Sequence, residues 1–277
     1  MPILRKIQLP RPSNNHLAKF ARNIASQCGE DGIVETLFKK IPQASLSRWC
    51  VEFGAWDGKH LSNSFHPITN LGWSGVLIEA DTAKFAELTQ THAKNDKVYC
   101  INEMVTLEPH QQLDALLART PIPTDFDFLS IDIDGLDWHV WSSLSNYFPR
   151  VVVIEFNPTI PNDVIYVQDP DIRVRQGSSL CAIVEMARAK GYELVCTVPW
   201  NAFFVRREFS PLFGIADNSI ELMHDPSPNV TSMFQLFDGT IVTCGLQKLL
   251  WHDRRFGPLD LQVLSESERT YGASPRV

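Results

Sequence analysis

Two apolar runs with one amphipathic stretch between them constrain this chain more than any other feature. Residues 126–135 read FDFLSIDIDG and residues 150–157 read RVVVIEFN, while Trp138, Trp141 and Leu144 mark a helix in the interval. A continuous β-branched run such as RVVVIEFN suits a central parallel strand, which is covered on both faces. The same rhythm recurs upstream. Apolar runs at about 48–54, at 75–80 (GVLIEA) and at 97–102 (KVYCIN) read as strands. Ile33, Leu37, Phe38 and Ile41 share a helical face, Phe85 and Leu88 face inward from a helix over 82–94, and Leu113, Leu116 and Leu117 mark another. Strands alternating with helices make an α/β fold around a parallel sheet.

The end of the pattern differs. Leu180, Ile183, Val184 and Ala187 form an amphipathic helix with Gly191 as its stop. Residues 192–198 and 201–206 then stand apart by only Pro199 and Trp200, which demands an antiparallel hairpin at the sheet edge. The expected organisation is a leader with helices over 1–42, a main domain over 43–206 and an extension or cap over 207–277. In that extension TIVTCGL is the one β-like run, followed by KLLWHD.

A net charge of -7 argues against a nucleic-acid phosphate footprint, which calls for a basic face. Six scattered cysteines without a C-x-x-C pair fit buried thiols in a reducing compartment. No apolar run approaches membrane-spanning length and MPILRKIQLPRP lacks a signal-peptide core, so a cytoplasmic protein is expected.

The ligand signals lie at strand ends. WCVEFGAWDG, residues 49–58, breaks from an apolar run into Gly54, Asp57 and Gly58. Glycines there let a ligand approach the backbone. The G-x-G-x-x-G dinucleotide fingerprint is absent, and the loop resembles the E-x-G-x-x-x-G type that holds S-adenosylmethionine. Glu79 ends the second strand, at the separation where an acid takes ribose hydroxyls in nucleoside-binding folds.

Taken jointly, SQCGEDG, VEFGAWDG, SNSF with LGWSGVLIEAD, LSIDIDG, VVVIEFN and GSSL through KGYELV to NAFFVR resemble the FkbM-like S-adenosylmethionine-dependent methyltransferases over residues 26–206. Cys28 and the GSSL segment depart from the usual pattern. The resemblance implies a Rossmann-like class I methyltransferase fold, a seven-stranded sheet in the order 3-2-1-4-5-7-6, and methylation of a hydroxyl or similar nucleophile. The cofactor would meet Glu52, Gly54, Ala55, Asp57 and Gly58 of the first loop, with Gly54 and Gly58 beside its methionine part. Ser62 and Asn63 would reach its carboxylate, Glu79 its ribose with Ala80 and Asp81 also at the cofactor, and Asn102 or Glu103 its adenine. For the last two, simple loop filling is an equal alternative.

Asp132, Asp134, Glu155 and Asn157 gather from two adjacent strand ends. Their hard oxygens suit Mg²⁺ or Mn²⁺, and the arrangement is similar to the magnesium site of catechol-type O-methyltransferases. The alternative is that Asp134 or Asp137 caps the next helix and Glu155 pairs with an arginine. Asp132 and Asp134 are candidate catalytic residues on the metal reading; His139 is the candidate general base without one. The expected activity is O-methylation of a small molecule such as a sugar or natural-product intermediate, with no nucleic-acid or membrane partner and with a homodimer left open. Two alternatives remain: a D-x-D glycosyltransferase using Asp132-Ile133-Asp134, and a non-catalytic binding protein of the same fold.

Overall fold

The computed structural model describes residues 4–7 and 11–271. They fall into two compact units, Pro12–Asn157 with Asn162–His224, and the described parts of Met1–Arg11 and Asp225–Val277 with Pro158–Pro161. These divisions replace the expected ones at 42/43 and 206/207. The reason is packing: Leu17, Ile33, Leu37 and Phe38 before residue 42, and Phe213 after 206, belong to the same buried cluster as the central strands.

In the larger unit the strands are β1 (Trp49–Phe53), β2 (Ser74–Ile78), β3 (Val98–Ile101), β4 (Phe128–Ile131), β5 (Val151–Glu155), β6 (Tyr192–Thr197) and β7 (Asn201–Arg206). They form one sheet in the order β3-β2-β1-β4-β5-β7-β6. The pairs among β1 to β5 are parallel, whereas β7 runs antiparallel to both β5 and β6. This is the Rossmann-like α/β fold and strand order expected, and the hairpin stands where its two-residue separation demanded.

Successive strand side chains point to opposite faces. Val51, Phe53, Leu129, Ile131, Val152 and Ile154 accordingly enter one buried cluster, and Cys50, Phe128, Val151 and Val153 the other. The helices that cover these faces are α1 (Glu30–Lys40), α2 (Phe65–Leu71), α3 (Thr82–Thr91), α4 (Leu113–Leu117), α5 (Asp137–Ser143) and α6 (Leu180–Ala189). Trp141 of α5 packs against Tyr192 and Phe204, with ring centroids 5.4 and 5.2 Å away. Its burial makes it a core residue, and truncation to alanine would cost about 3–5 kcal/mol.

SQCGEDG builds the start of α1 around two fully buried acids. Asp31 Oδ2 accepts from the backbone N–H groups of Ile24, Ala25 and Ser26 at 2.7, 2.8 and 2.9 Å. Glu30 Oε1 accepts from Asn201 Nδ2 at 3.0 Å and so ties the helix to β7. In the smaller unit TIVTCGL supplies β9 (Ile241–Gly245), paired antiparallel with β8 (Thr231–Gln235), a strand the sequence pattern did not reveal. All six cysteines are free. Among the described residues no helix is long and apolar enough to cross a membrane.

Candidate functional site

A cavity of about 470 Å³ opens at the carboxyl ends of the parallel strands, where ligands bind in open α/β sheets. Its wall includes Glu52, Gly54, Ala55, Trp56, Ser62, Asn63, Glu79, Ala80, Glu103, Asp132 and Asp134. Most of the expected site residues thus meet at one place. Trp56, Leu61 and Asp134 hold left-handed backbone conformations there, with φ of 50°, 58° and 55°. Side-chain-bearing residues adopt these at a cost, and such strain concentrates at functional sites.

Several walls are built by carboxylates that grip backbone. Glu52 Oε2 accepts from Ser62 Oγ and Ser64 Oγ, each at 2.5 Å, and Oε1 accepts from the Asn63 N–H at 2.8 Å. Burial pushes the Glu52 carboxyl above its usual range, against the pull of those donors. Glu79 accepts from the Trp56 N–H at 2.7 Å and the Asp81 N–H at 2.8 Å, one on each oxygen, which leaves acceptor capacity on both. Asp137 is also buried, and its two oxygens accept from the N–H groups of Ile133 and Gly135. It holds the turn after β4, so its function lies outside simple helix capping.

The structure gives other expected site residues different work. Gly54 has φ of 73°, and a Cβ built on it would lie 2.1 Å from the Asp132 carbonyl oxygen. Its bare face serves the close approach of the β1 and β4 ends, so a bulkier residue disturbs the fold before it meets any ligand. Gly58 does not line the cavity, and a Cβ there would lie 2.5 Å from Leu88 of α3. Asp57 accepts from the N–H groups of Lys59 and His60, and Asp81 caps α3 through those of Ala83 and Lys84. Asn102 donates to the Glu79 carbonyl at 2.8 Å. Ser62 already donates to Glu52. Asp57, Gly58, Asp81 and Asn102 thus stand outside the wall and hold its loops, whereas Gly54 and Ser62 stand in it.

Asp132, Asp134 and Glu155 each offer an oxygen within 4.8 Å of the others. Burial raises Asp132 well above the usual carboxylate range, followed by the charges of Asp137, Asp134 and Glu52. Asp132 nevertheless keeps an open face, because the protein that surrounds it is the cavity wall. Burial, then Asp132, Asp137 and Asp134, push Glu155 up to about 9. No arginine or lysine opposes these shifts, so the expected alternative of a Glu155–arginine pair is absent among the described residues. Asn157, the expected fourth ligand, donates its side-chain N–H to the Gln176 carbonyl at 2.9 Å. His139 does not line the cavity. Its Nε2 bonds the Gln168 carbonyl at 2.8 Å and is occupied as a donor there, which removes that nitrogen from the role of general base.

Trp56, expected as core or pocket wall, and His60, expected beside the cofactor loop, both line the cavity, whereas the pattern reading missed the wall formed by Ile172, Val174 and Arg175. Arg175 belongs to a stretch without regular structure, in which the alternation Ile172-Arg173-Val174-Arg175 was the one available signal.

No family model matches the chain, and no curated protein matches it. Solved structures do resemble it. The METTL16 MTase domain is 16% identical over 64% of this chain and 66% of its own, with a TM-score of 0.42. The N-terminal domain of EvdMO1 with SAH bound is 10% identical over 64% and 79%, with a TM-score of 0.42. The selenomethionine-substituted CurJ carbon methyltransferase is 8% identical over 64% and 52%, at 0.44. The match therefore spans just under two thirds of the first and about half of the third. Likeness this distant adds nothing on substrate or chemistry, and the fold stands on the strand order itself.

Proposed function

We propose that this chain is an S-adenosylmethionine-dependent methyltransferase acting on a hydroxyl of a small molecule, such as a sugar or natural-product intermediate, with help from a divalent cation. One observation carries the reading. A single cavity joins the β1 turn and the Glu79 carboxylate to Asp132 and Asp134 at the end of β4, with an oxygen of Glu155 from β5 within 4.8 Å of theirs. A nucleoside cofactor and an acceptor can therefore lie side by side in it.

The wall suits the cofactor chemically. Glu79 retains lone pairs for ribose hydroxyls, and its grip on the Trp56 and Asp81 N–H groups fixes it for that task. Asn63 Oδ1 is buried without a hydrogen-bond partner among the described residues, an acceptor suited to the amino group of the methionine part. Asp132, Asp134 and Glu155 suit Mg²⁺ or Mn²⁺, being three hard oxygen donors with no basic partner among the described residues. A divalent cation, when bound, supplies a Lewis acid that lowers the pKa of the acceptor hydroxyl. Asp137 keeps Asp132 and Asp134 in register by holding the turn between them and α5. The remaining requirement is alignment of the acceptor oxygen with the methyl group, for which the shared cavity leaves room. Free thiols fit a reducing, cytoplasmic setting.

Calorimetric titration with S-adenosylhomocysteine, UDP and NAD tests the cofactor. Micromolar binding of the first alone is expected; binding of UDP instead would favour the D-x-D glycosyltransferase. Manganese binding followed by electron paramagnetic resonance tests the acids. Asp132→Asn should weaken it while keeping S-adenosylhomocysteine affinity, and equal manganese binding in both proteins would remove the metal from the reading.

A further inference from the structure

Residues 162–179, between β5 and α6, contain neither helix nor strand, yet part of this segment is firmly held. The clasp is Gln168, whose residue is 1% exposed. Its Nε2 donates to the Val174 carbonyl at 3.0 Å, and its Oε1 accepts from the N–H groups of Gln176 and Gly177 at 3.0 and 2.8 Å. The Gln168 carbonyl is in turn bonded by His139 of α5. The Val174 carbonyl lies 3.3 Å from where a Cβ on Gly135 would stand, so this segment abuts the turn after β4. Arg175 is thus bracketed by two residues whose backbone is pinned, and with Ile172 and Val174 it forms one wall of the cavity.

Its two arginines are in different states. Arg173 folds onto Asp171, with Nε at 2.9 and 3.1 Å from the two carboxylate oxygens. Arg175 has no hydrogen bond or ion pair among the described residues. It is also the only lysine or arginine among the described residues lining the cavity. Other acids of the cavity wall are engaged elsewhere: Glu52 and Glu79 grip backbone, and Glu103 pairs with Arg119 at 3.4 Å. Arg175 is exposed at the cavity wall, and an unpartnered guanidinium there offers a planar fork of donors matched to an oxyanion.

We propose that Arg175 binds an anionic group, carboxylate or phosphate, carried by the methyl acceptor. The proposal rests on the methyltransferase reading and narrows its substrate to hydroxylated acids or phosphorylated hydroxy compounds. Position separates this role from one on the cofactor. The Arg175 wall abuts the turn that carries Asp134, next to the acids assigned to the acceptor oxygen, whereas the cofactor is assigned to the ends of β1 and β2. An acceptor anchored at Arg175 would present its hydroxyl toward Asp132 and Asp134.

Arg175→Met and Arg175→Lys in the full chain test it. Amide resonances of 172–177 are followed while inorganic phosphate, then acetate, is added in saturating S-adenosylhomocysteine. In the parent protein saturable shifts at millimolar concentration are expected. They should weaken about tenfold in Arg175→Met and less in Arg175→Lys, with S-adenosylhomocysteine affinity within about twofold throughout. Absent shifts in the parent, or equal titrations in parent and Arg175→Met, overturn the proposal. A tenfold loss of S-adenosylhomocysteine affinity in Arg175→Met, with methylthioadenosine binding unchanged, also overturns it by giving Arg175 to the cofactor carboxylate. Failure of the parent to bind S-adenosylhomocysteine at all strikes the underlying methyltransferase reading, and the acceptor assignment falls with it.

Discussion

At the amino-terminal edge of the sheet Arg150 reaches Asp127 at 3.0 Å and Asp125 at 2.9 Å. Asp127 also accepts from the Arg48 N–H at 2.5 Å and from Ser47 Oγ at 3.1 Å, which joins the starts of β1, β4 and β5. At the carboxyl edge of the same strands, Asp132, Asp134 and Glu155 crowd together with no arginine or lysine paired to them among the described residues. Burial raises Asp127 as well, but the Arg150 charge and the donors from Arg48, Ser47 and Trp49 pull against it within the fold. The acids at the other edge raise one another's proton affinity, as groups at ligand sites do. One end of the sheet therefore braces the molecule, and the other keeps an electrostatic deficit that a ligand can fill.

Breaking the brace should have the largest effect. Arg150→Met leaves Asp127 buried without its charge partner, and a loss of about 3–5 kcal/mol in denaturant unfolding is expected. A loss below about 1 kcal/mol would put Arg150 among ordinary surface pairs. Gly54→Ala comes next. Crowding against the Asp132 carbonyl and the positive φ should cost about 1–3 kcal/mol. Unchanged stability with weakened S-adenosylhomocysteine binding would instead restore this glycine to a purely ligand-facing role.

Glu155→Gln should act in the opposite direction in metal-free protein. The folded pKa of Glu155, about 9, lies above the ordinary value. Its contribution to stability is therefore complete below the unfolded pKa and lost as pH rises through the folded one. Thermal unfolding in EDTA should show the parent weakening from about pH 4.3 toward pH 9, and the glutamine variant weakening less. Identical pH slopes would show that the three acids do not crowd in solution. The smallest effect belongs to His139→Ala: about 1 kcal/mol, from the lost bond to the Gln168 carbonyl. Cofactor and manganese affinities should stay the same, and a large fall in either would return His139 to the site.

The parallel part of the sheet was legible because each of its strands is a short apolar run closed by an acid, glycine or asparagine. The hairpin was legible because two residues leave its strands no other course. Gathering Glu79 with Asp132 needed only the rule that ligands meet strand carboxyl ends. The roles within that rim were less legible, because they depend on contacts distant in sequence. Nothing near Gly54 in the chain indicates that its hydrogen faces the carbonyl of Asp132. The Gln168 clasp holds an aperiodic segment through side-chain bonds, and β8 is mostly exposed, so neither carries a hydrophobic period.

Hydrogen exchange of backbone amides with and without S-adenosylhomocysteine compares the two edges of the sheet in one experiment. Binding at the carboxyl edge should slow exchange over residues 53–63, 78–82 and 132–136. Exchange over 47–49, 124–127 and 149–150 should be unaffected. Protection concentrated at the Arg150 edge, or none at either edge under saturating ligand, would contradict the assignment of the carboxyl edge as the cofactor site.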